Sequence, residues 1–193
     1  MDLRGWILAE HDQLLFSYQV TAGLVPPDRW AVRPTPGSNP VAWLVWHVAR
    51  WEDLAVNVMV RDAVPVLDDA WSRRLGLAPA PGTGFTDEDV DHLAATVDPA
   101  DLDAYWHAVH EHTRQWLIET DTDELERLLD AYVDTDARYA ASPGLFPDRA
   151  SWVYDFQRGK TGEFFLRWVA IGHANWHFGE LQTVTTALGY PVG

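Results

Sequence analysis

The chain has 193 residues, 47% of them apolar, which suits one compact domain with a sizeable core and argues against disorder. Its formal charge of −15 repels phosphate backbones, so nucleic acid is not an expected partner. Cysteine is absent, which excludes disulfides, cysteine nucleophiles and thiolate ligands; any metal must rest on His, Asp or Glu. Charges interrupt every apolar stretch, so no membrane span is expected. The start, Met1-Asp2-Leu3-Arg4-Gly5-Trp6, has no basic segment leading into an apolar run, so the expected compartment is cytoplasmic.

Apolar periodicity predicts four long helices. The first covers about residues 3–24, with Leu3, Ile7, Leu14, Tyr18 and Thr21 as its stripe and Pro26-Pro27 as its stop. The second covers about 40–61, with Asn39 as N-cap and Pro40 in the first helical position; its stripe is Trp43, Leu44, His47, Trp51, Leu54 and Val58. A long crossover, roughly 62–97, is broken up by Pro65, Pro79, Pro81, Gly82 and Gly84, and Thr86 with Asp89 forms a capping box for a short helix. The third long helix covers about 99–119 behind an Asp98 cap, with Leu102, Tyr105, Trp106, Val109, Trp116 and Leu117 facing inward. A short helix follows over Asp123–Asp130, then an irregular connection over 131–160. The fourth long helix covers about 162–188, lined by Phe165, Val169, His173, His177, Leu181, Val184 and Leu188, and ends at Gly189 and Pro191. No stretch alternates convincingly enough for a strand. The fold class is all-α, a single-domain four-helix bundle with a long crossover between the second and third helices.

Three histidines carry the chemistry. His173 and His177 are four apart and share one helix face, and His47 lies on the inward stripe of another helix. Two imidazoles at that spacing grip one ion, and a third completes a three-histidine site. The bland alternative is three hydrogen-bonded core histidines; burying three without partners is costly, which favours the metal. Trp43, Trp46, Trp51, Trp168 and Trp176 flank them, which points to an aromatic-walled pocket. Glu180 lies near the face of His173 and has several readings: fourth ligand, general base, acceptor for a ligating histidine's N–H, or rim carboxylate. Glu52 follows His47 by five residues and points away from it, which reads as a structural ion pair.

The remaining histidines are weaker signals. His107, His110 and His112 share the third helix and tempt a second metal reading. His107 shares a face with Asp103, Glu111 and Arg114 and reads as solvated. His112 falls between Val109 and Trp116 and reads as a satisfied core histidine in preference to a pocket group. His11 is ambiguous, and His92 belongs on a short polar helix. Gly159-Lys160-Thr161 lacks the glycine a phosphate loop needs five residues earlier, where Tyr154 stands. No Gly-x-Ser-x-Gly elbow is present.

Trp46-His47-Val48-Ala49-Arg50-Trp51-Glu52, followed far downstream by His173-x-x-x-His177-x-Gly179-Glu180, resembles the DinB-like superfamily. The middle segments Ala70-Trp71-Ser72-Arg73-Arg74-Leu75-Gly76-Leu77, Gly82-Thr83-Gly84-Phe85-Thr86 and Tyr105-Trp106-His107-Ala108-Val109 resemble its actinobacterial branch. The resemblance covers most of the chain. It implies a four-helix bundle carrying a divalent metal, zinc most often, with nickel or iron as alternatives, on His47, His173 and His177. Some similar proteins are thiol-dependent, among them mycothiol-dependent maleylpyruvate isomerase and bacillithiol transferases. Many members read His-Arg-Gly-Gln where this chain reads His177-Phe178-Gly179-Glu180, so an arginine contact at that position is lost.

These residues lead to an expected metal-dependent enzyme, a transferase or isomerase using an external thiol of the mycothiol type. Thirteen arginines against the single Lys160 suggest a GC-rich bacterial genome, which fits mycothiol. Trp43, Trp51 and Trp176 are expected to wall the pocket, Arg50 to hold a substrate carboxylate, and Glu180 to be the catalytic acid or base. Two alternatives stay open: a hydrolase using metal-bound water, and a non-catalytic metal-binding or sensor bundle. The expected partners are a small-molecule substrate and a second copy of the chain in a homodimer, without nucleic acid or membrane.

Overall fold

The computed structural model describes residues 2–191, and among them the regular structure is helical, with one isolated bridge between Tyr132 and Thr161. Helix α1, Leu3–Gly23, starts where the Asp2 carboxylate accepts from the Gly5 N–H and ends just before Pro26 and Pro27. Helix α2, Val41–Asp53, is buried at every position, and seven further residues, Leu54–Val60, continue it as a π-helix. The expected Asn39 cap is not formed. Pro40 occupies the cap position in extended conformation, and the Asn39 side chain reaches across to another helix. No helix among the described residues is long and apolar enough to cross a membrane.

The crossover is more ordered than proline and glycine content suggested. It holds α3, Asp69–Leu75, capped by Asp68 and stopped by Gly76 in the left-handed conformation. It also holds α4, Asp87–Thr96, opened by the Thr86–Asp89 capping box expected from sequence. Helix α5, Pro99–Glu119, has the expected Asp98 cap, and α6, Thr122–Asp130, begins one residue earlier than expected because Asp121 caps it. The stretch 131–160 is not simply irregular: it contains α7, Thr135–Ala140, and α8, Trp152–Gln157. The last long helix begins as a π-helix, Phe164–Gly172, and becomes α9, His173–Ala187, at the first histidine of the pair.

Four long elements close into a ring: α2 packs on α5 and α9, and α1 packs on the same two. The two π-helical stretches lie against one another. Tyr18, Leu44, Trp46, Leu102, Tyr105 and Phe165 fill the centre, each essentially excluded from water. Asp53, fully buried, fixes the start of the crossover. Its carboxylate accepts from the Val66 and Leu67 backbone N–H groups, the Tyr105 hydroxyl, Asn57 and Arg50, all at 2.8–3.0 Å. A buried carboxylate needs this many donors to stay charged away from water.

Candidate metal centre

Helix α2 binds the far part of the crossover through one row of side chains. Arg50 Nε donates to the Pro79 carbonyl at 2.9 Å, Trp46 Nε1 to Ala80 at 3.1 Å, and Trp51 Nε1 to the Thr83 hydroxyl at 3.0 Å. In the same row, His47 Nδ1 lies 2.7 Å from the Pro81 carbonyl. A carbonyl only accepts, so the proton of neutral His47 sits on Nδ1 and its Nε2 lone pair faces inward. Helix α9 does the same for His177: its Nδ1 lies 2.8 Å from Glu180 Oε2, and Asn39 donates to Glu180 Oε1 at 2.8 Å.

The three Nε2 atoms converge. His47 Nε2 is 3.2 Å and His177 Nε2 is 3.1 Å from His173 Nε2. Tetrahedral ligation with bonds of about 2.1 Å separates ligand nitrogens by about 3.4 Å, so the triangle is close to that of a bound ion. A proton on His173 Nε2 satisfies only one of the two lone pairs facing it, whereas a cation between the rings satisfies all three. The protonation states agree. Burial, reinforced by the neighbouring imidazoles, holds His47 well below its ordinary pKa, and burial with His177 pulls His173 down to about 3. Neutral imidazole is the ligating form. The donor set therefore fits a divalent ion that accepts nitrogen ligands.

Beside this triangle opens a cavity of about 490 Å³ reached by His47 and His173. Trp43, Trp51 and Trp176 line it as expected, and Trp43 stacks on the His47 ring with centroids 4.3 Å apart. Gly82 makes that stack fit: its φ is +93°, and a Cβ there would meet Trp43 Nε1 at 2.7 Å. Another part of the wall comes from Trp152, Val153, Phe156 and Gln157, on α8 within the stretch expected to be irregular. Six residues of α8 are too few for periodicity to show.

Arg50 is not brought to this cavity. It is 2% exposed, and its guanidinium is held by Asp53 at 2.9 Å and by the Pro79 carbonyl, so it has no free face for a substrate carboxylate. Glu180 is placed behind His177, with both carboxylate oxygens engaged, and it does not line the cavity. Burial pushes its carboxyl up, but the hydrogen bonds from His177 and Asn39 bring it below its ordinary value. Those contacts suit an orienting carboxylate for a ligating imidazole.

A second buried cluster was missed. His11, Glu52 and His110 meet between α1, α2 and α5. His11 Nε2 is 2.7 Å from Glu52 Oε1, Trp106 Nε1 donates to Glu52 Oε2 at 3.1 Å, and His110 Nε2 is 3.0 Å from Asp12 Oδ1. Glu52 points away from His47, as expected, and its close partner is His11. The His11 and His110 rings are stacked at 3.8 Å and 8°. Their in-plane lone pairs run parallel in place of converging, so this cluster lacks the ligand geometry of the first. His112, expected in the core, is exposed beside Arg61 and Asn57; His110 is the buried histidine of α5. His107 is half exposed, as expected.

An all-helical bundle with three imidazoles converging from two of its long helices defines a class of candidate metal-binding bundle proteins. The family model of the DinB superfamily matches residues 13–180, and the chain belongs to that superfamily. No curated protein matches it. Among solved structures, a conserved protein from Enterococcus faecalis is similar, with a TM-score of 0.68 and 19% identity over 98% of this chain and 99% of that one. At that identity the likeness supports the fold alone.

Proposed function

We propose that this chain is a divalent-metal enzyme that uses an external low-molecular-weight thiol, of the mycothiol type, to transfer sulfur to or isomerise a small substrate. The observation that carries the reading is the convergence of three histidine Nε2 atoms at the edge of an aromatic cavity, in a chain without cysteine. When bound, a divalent ion with an open position supplies the charge that lowers a thiol's pKa toward neutrality. The chain's own residues do the rest. His47, His173 and His177 hold the ion, Pro81 and Glu180 fix two of the rings, and Trp43 screens His47 from water. The cavity walls then confine the substrate next to the site.

The test is optical. In cobalt-substituted protein, mycothiol or a close analogue should produce sulfur-to-metal charge-transfer absorption, and His177→Ala should abolish it. If saturating thiol leaves the spectrum unchanged while a hydroxamate alters it, the hydrolytic reading replaces this one. Against that reading stands the place of Glu180, its expected base, which is turned to His177 and Asn39 and does not line the cavity. If neither ligand alters the spectrum, the bundle is non-catalytic.

A further inference from the structure

The walls of the cavity limit what enters it. Among the described residues, no lysine or arginine lines it; Asp87 is its one acidic group, and Asn39, Thr83 and Gln157 are its neutral polar side chains. The two arginines near the rim are already paired. Arg33 is held by Asp87 and Asp91, and Arg149 by Asp89 and the Gly84 carbonyl. The Lys160 ammonium rests over aromatic rings, 5.3 Å from the centre of Phe164 and 5.9 Å from Phe156. Apart from His47 and His173, the rest of the lining is aromatic, valine or glycine. At the mouth, Trp152, Phe156 and Trp176 are 56%, 43% and 70% exposed, an unusual cost for three large rings around one opening. Trp168 braces Trp176 edge-on at 4.6 Å, so that ring stands as a wall.

We infer that the cavity takes a substrate with a flat apolar body and no negative charge, and that Trp152, Phe156 and Trp176 are its specificity residues. The inference deepens the function proposed above and rests on that reading for the chemistry, though not for the selectivity. A carboxylate or phosphate inside would lose its water with no guanidinium or ammonium to replace it. A divalent ion held by the three histidines would supply positive charge at that one site, and the walls would supply none. A planar neutral molecule loses little on entry and gains ring-on-ring contact at the mouth.

The experiment compares 2-naphthamide with its near-isostere 2-naphthoate, by calorimetric titration of the chain first stripped of metal by chelation. A bound ion would attract the carboxylate on its own account, so the walls are read without it. The amide should bind about tenfold more tightly, the factor expected for an uncompensated charge in a half-buried site. Trp176→Ala should weaken both by about tenfold. Trp152 is exposed at the start of α8, so replacing it leaves the core intact; Trp152→Arg should close or reverse the ratio, whereas Trp152→Gln should preserve it. Naphthoate binding as tightly as the amide would overturn the inference. So would an unchanged ratio in Trp152→Arg, or failure of both probes to bind below about 1 mM. A cobalt spectrum silent to thiols, with the amide still preferred, would remove the proposed reaction and leave the selectivity standing.

Discussion

Replacing Glu52 tests whether the second histidine cluster is scaffold or site. Its two oxygens accept from His11 and from the Trp106 indole, and its side chain is 5% exposed. Glu52→Ala leaves two buried N–H groups unpaired; at about 1–3 kcal/mol each, the loss is about 4 kcal/mol. Glu52→Gln keeps one acceptor oxygen but turns an NH2 toward the other donor, so about 2 kcal/mol should go. Urea titration at pH 7 measures both, and Glu52→Ala should lower the Tm by about 10 °C in a chain of this length. Burial raises the Glu52 carboxyl, but His11, then His110 and Trp106, bring it below its ordinary value of 4.5. A depressed carboxyl stabilises the fold above its unfolded pKa and loses that contribution as pH falls through the folded one. The groups facing it are His11 from α1 and His110 from α5, the latter paired with Asp12. The penalty of Glu52→Gln should therefore be constant between pH 7 and about 5.5 and shrink below pH 4.5. The scaffold reading is refuted if Glu52→Ala costs under about 1 kcal/mol, or if the wild type holds a second ion that this variant loses.

Other expectations follow from the same geometry. Gently purified protein should hold one divalent ion per chain by elemental analysis; His47→Ala, His173→Ala and His177→Ala should each lose it, while His107→Ala keeps it. Chelation should lower the Tm, because the ion binds only the folded chain. Glu180→Gln should weaken metal binding about 10–100-fold in competition with a chelating dye, by loosening the His177 ring. Arg50→Ala should act on stability, costing about 3–5 kcal/mol in denaturant titration, because it strands the buried Asp53 carboxylate. Gly82→Ala should cost about 1–3 kcal/mol and also reduce metal affinity, since the new Cβ displaces Trp43 from His47.

The long helices and the three-histidine triangle were legible in the sequence because each rests on a local signal. Asp98 before Pro99, the Thr86–Asp89 box and the four-residue spacing of His173 and His177 all state their geometry within one turn. The third ligand was legible because His47 interrupts an apolar stripe. Width and range are harder to read. In α5 the six expected inward residues are all buried, but the buried face is wider than the apolar stripe: it also takes in His110 and Thr113, while His112 turns outward. Arg50 was given to a substrate because its partner Asp53 gathers donors from the crossover and from α5 that only tertiary structure assembles. Asn39 fitted a cap by type, yet Glu180, 141 residues away, claimed its amide.

The wide-turned stretch Phe164–Gly172 has an evolutionary consequence. Upstream of it, Phe165, Leu166 and Val169 are committed to the core; directly downstream, His173 and His177 are committed to the triangle. A π-helical turn holds more residues than the 3.6 of an α-helix, so the stretch sets the angle between those two commitments. Deleting one residue from an α-helical turn would swing everything after it by about 100° around the helix axis, but a wide turn that tightens to an α turn absorbs the loss. Both imidazoles would then keep their direction, and the helix would shorten by about one residue's rise. A single-codon change of length in this stretch is thus one that a descendant could survive with the centre in place. Relatives of different length here can still be compared histidine for histidine.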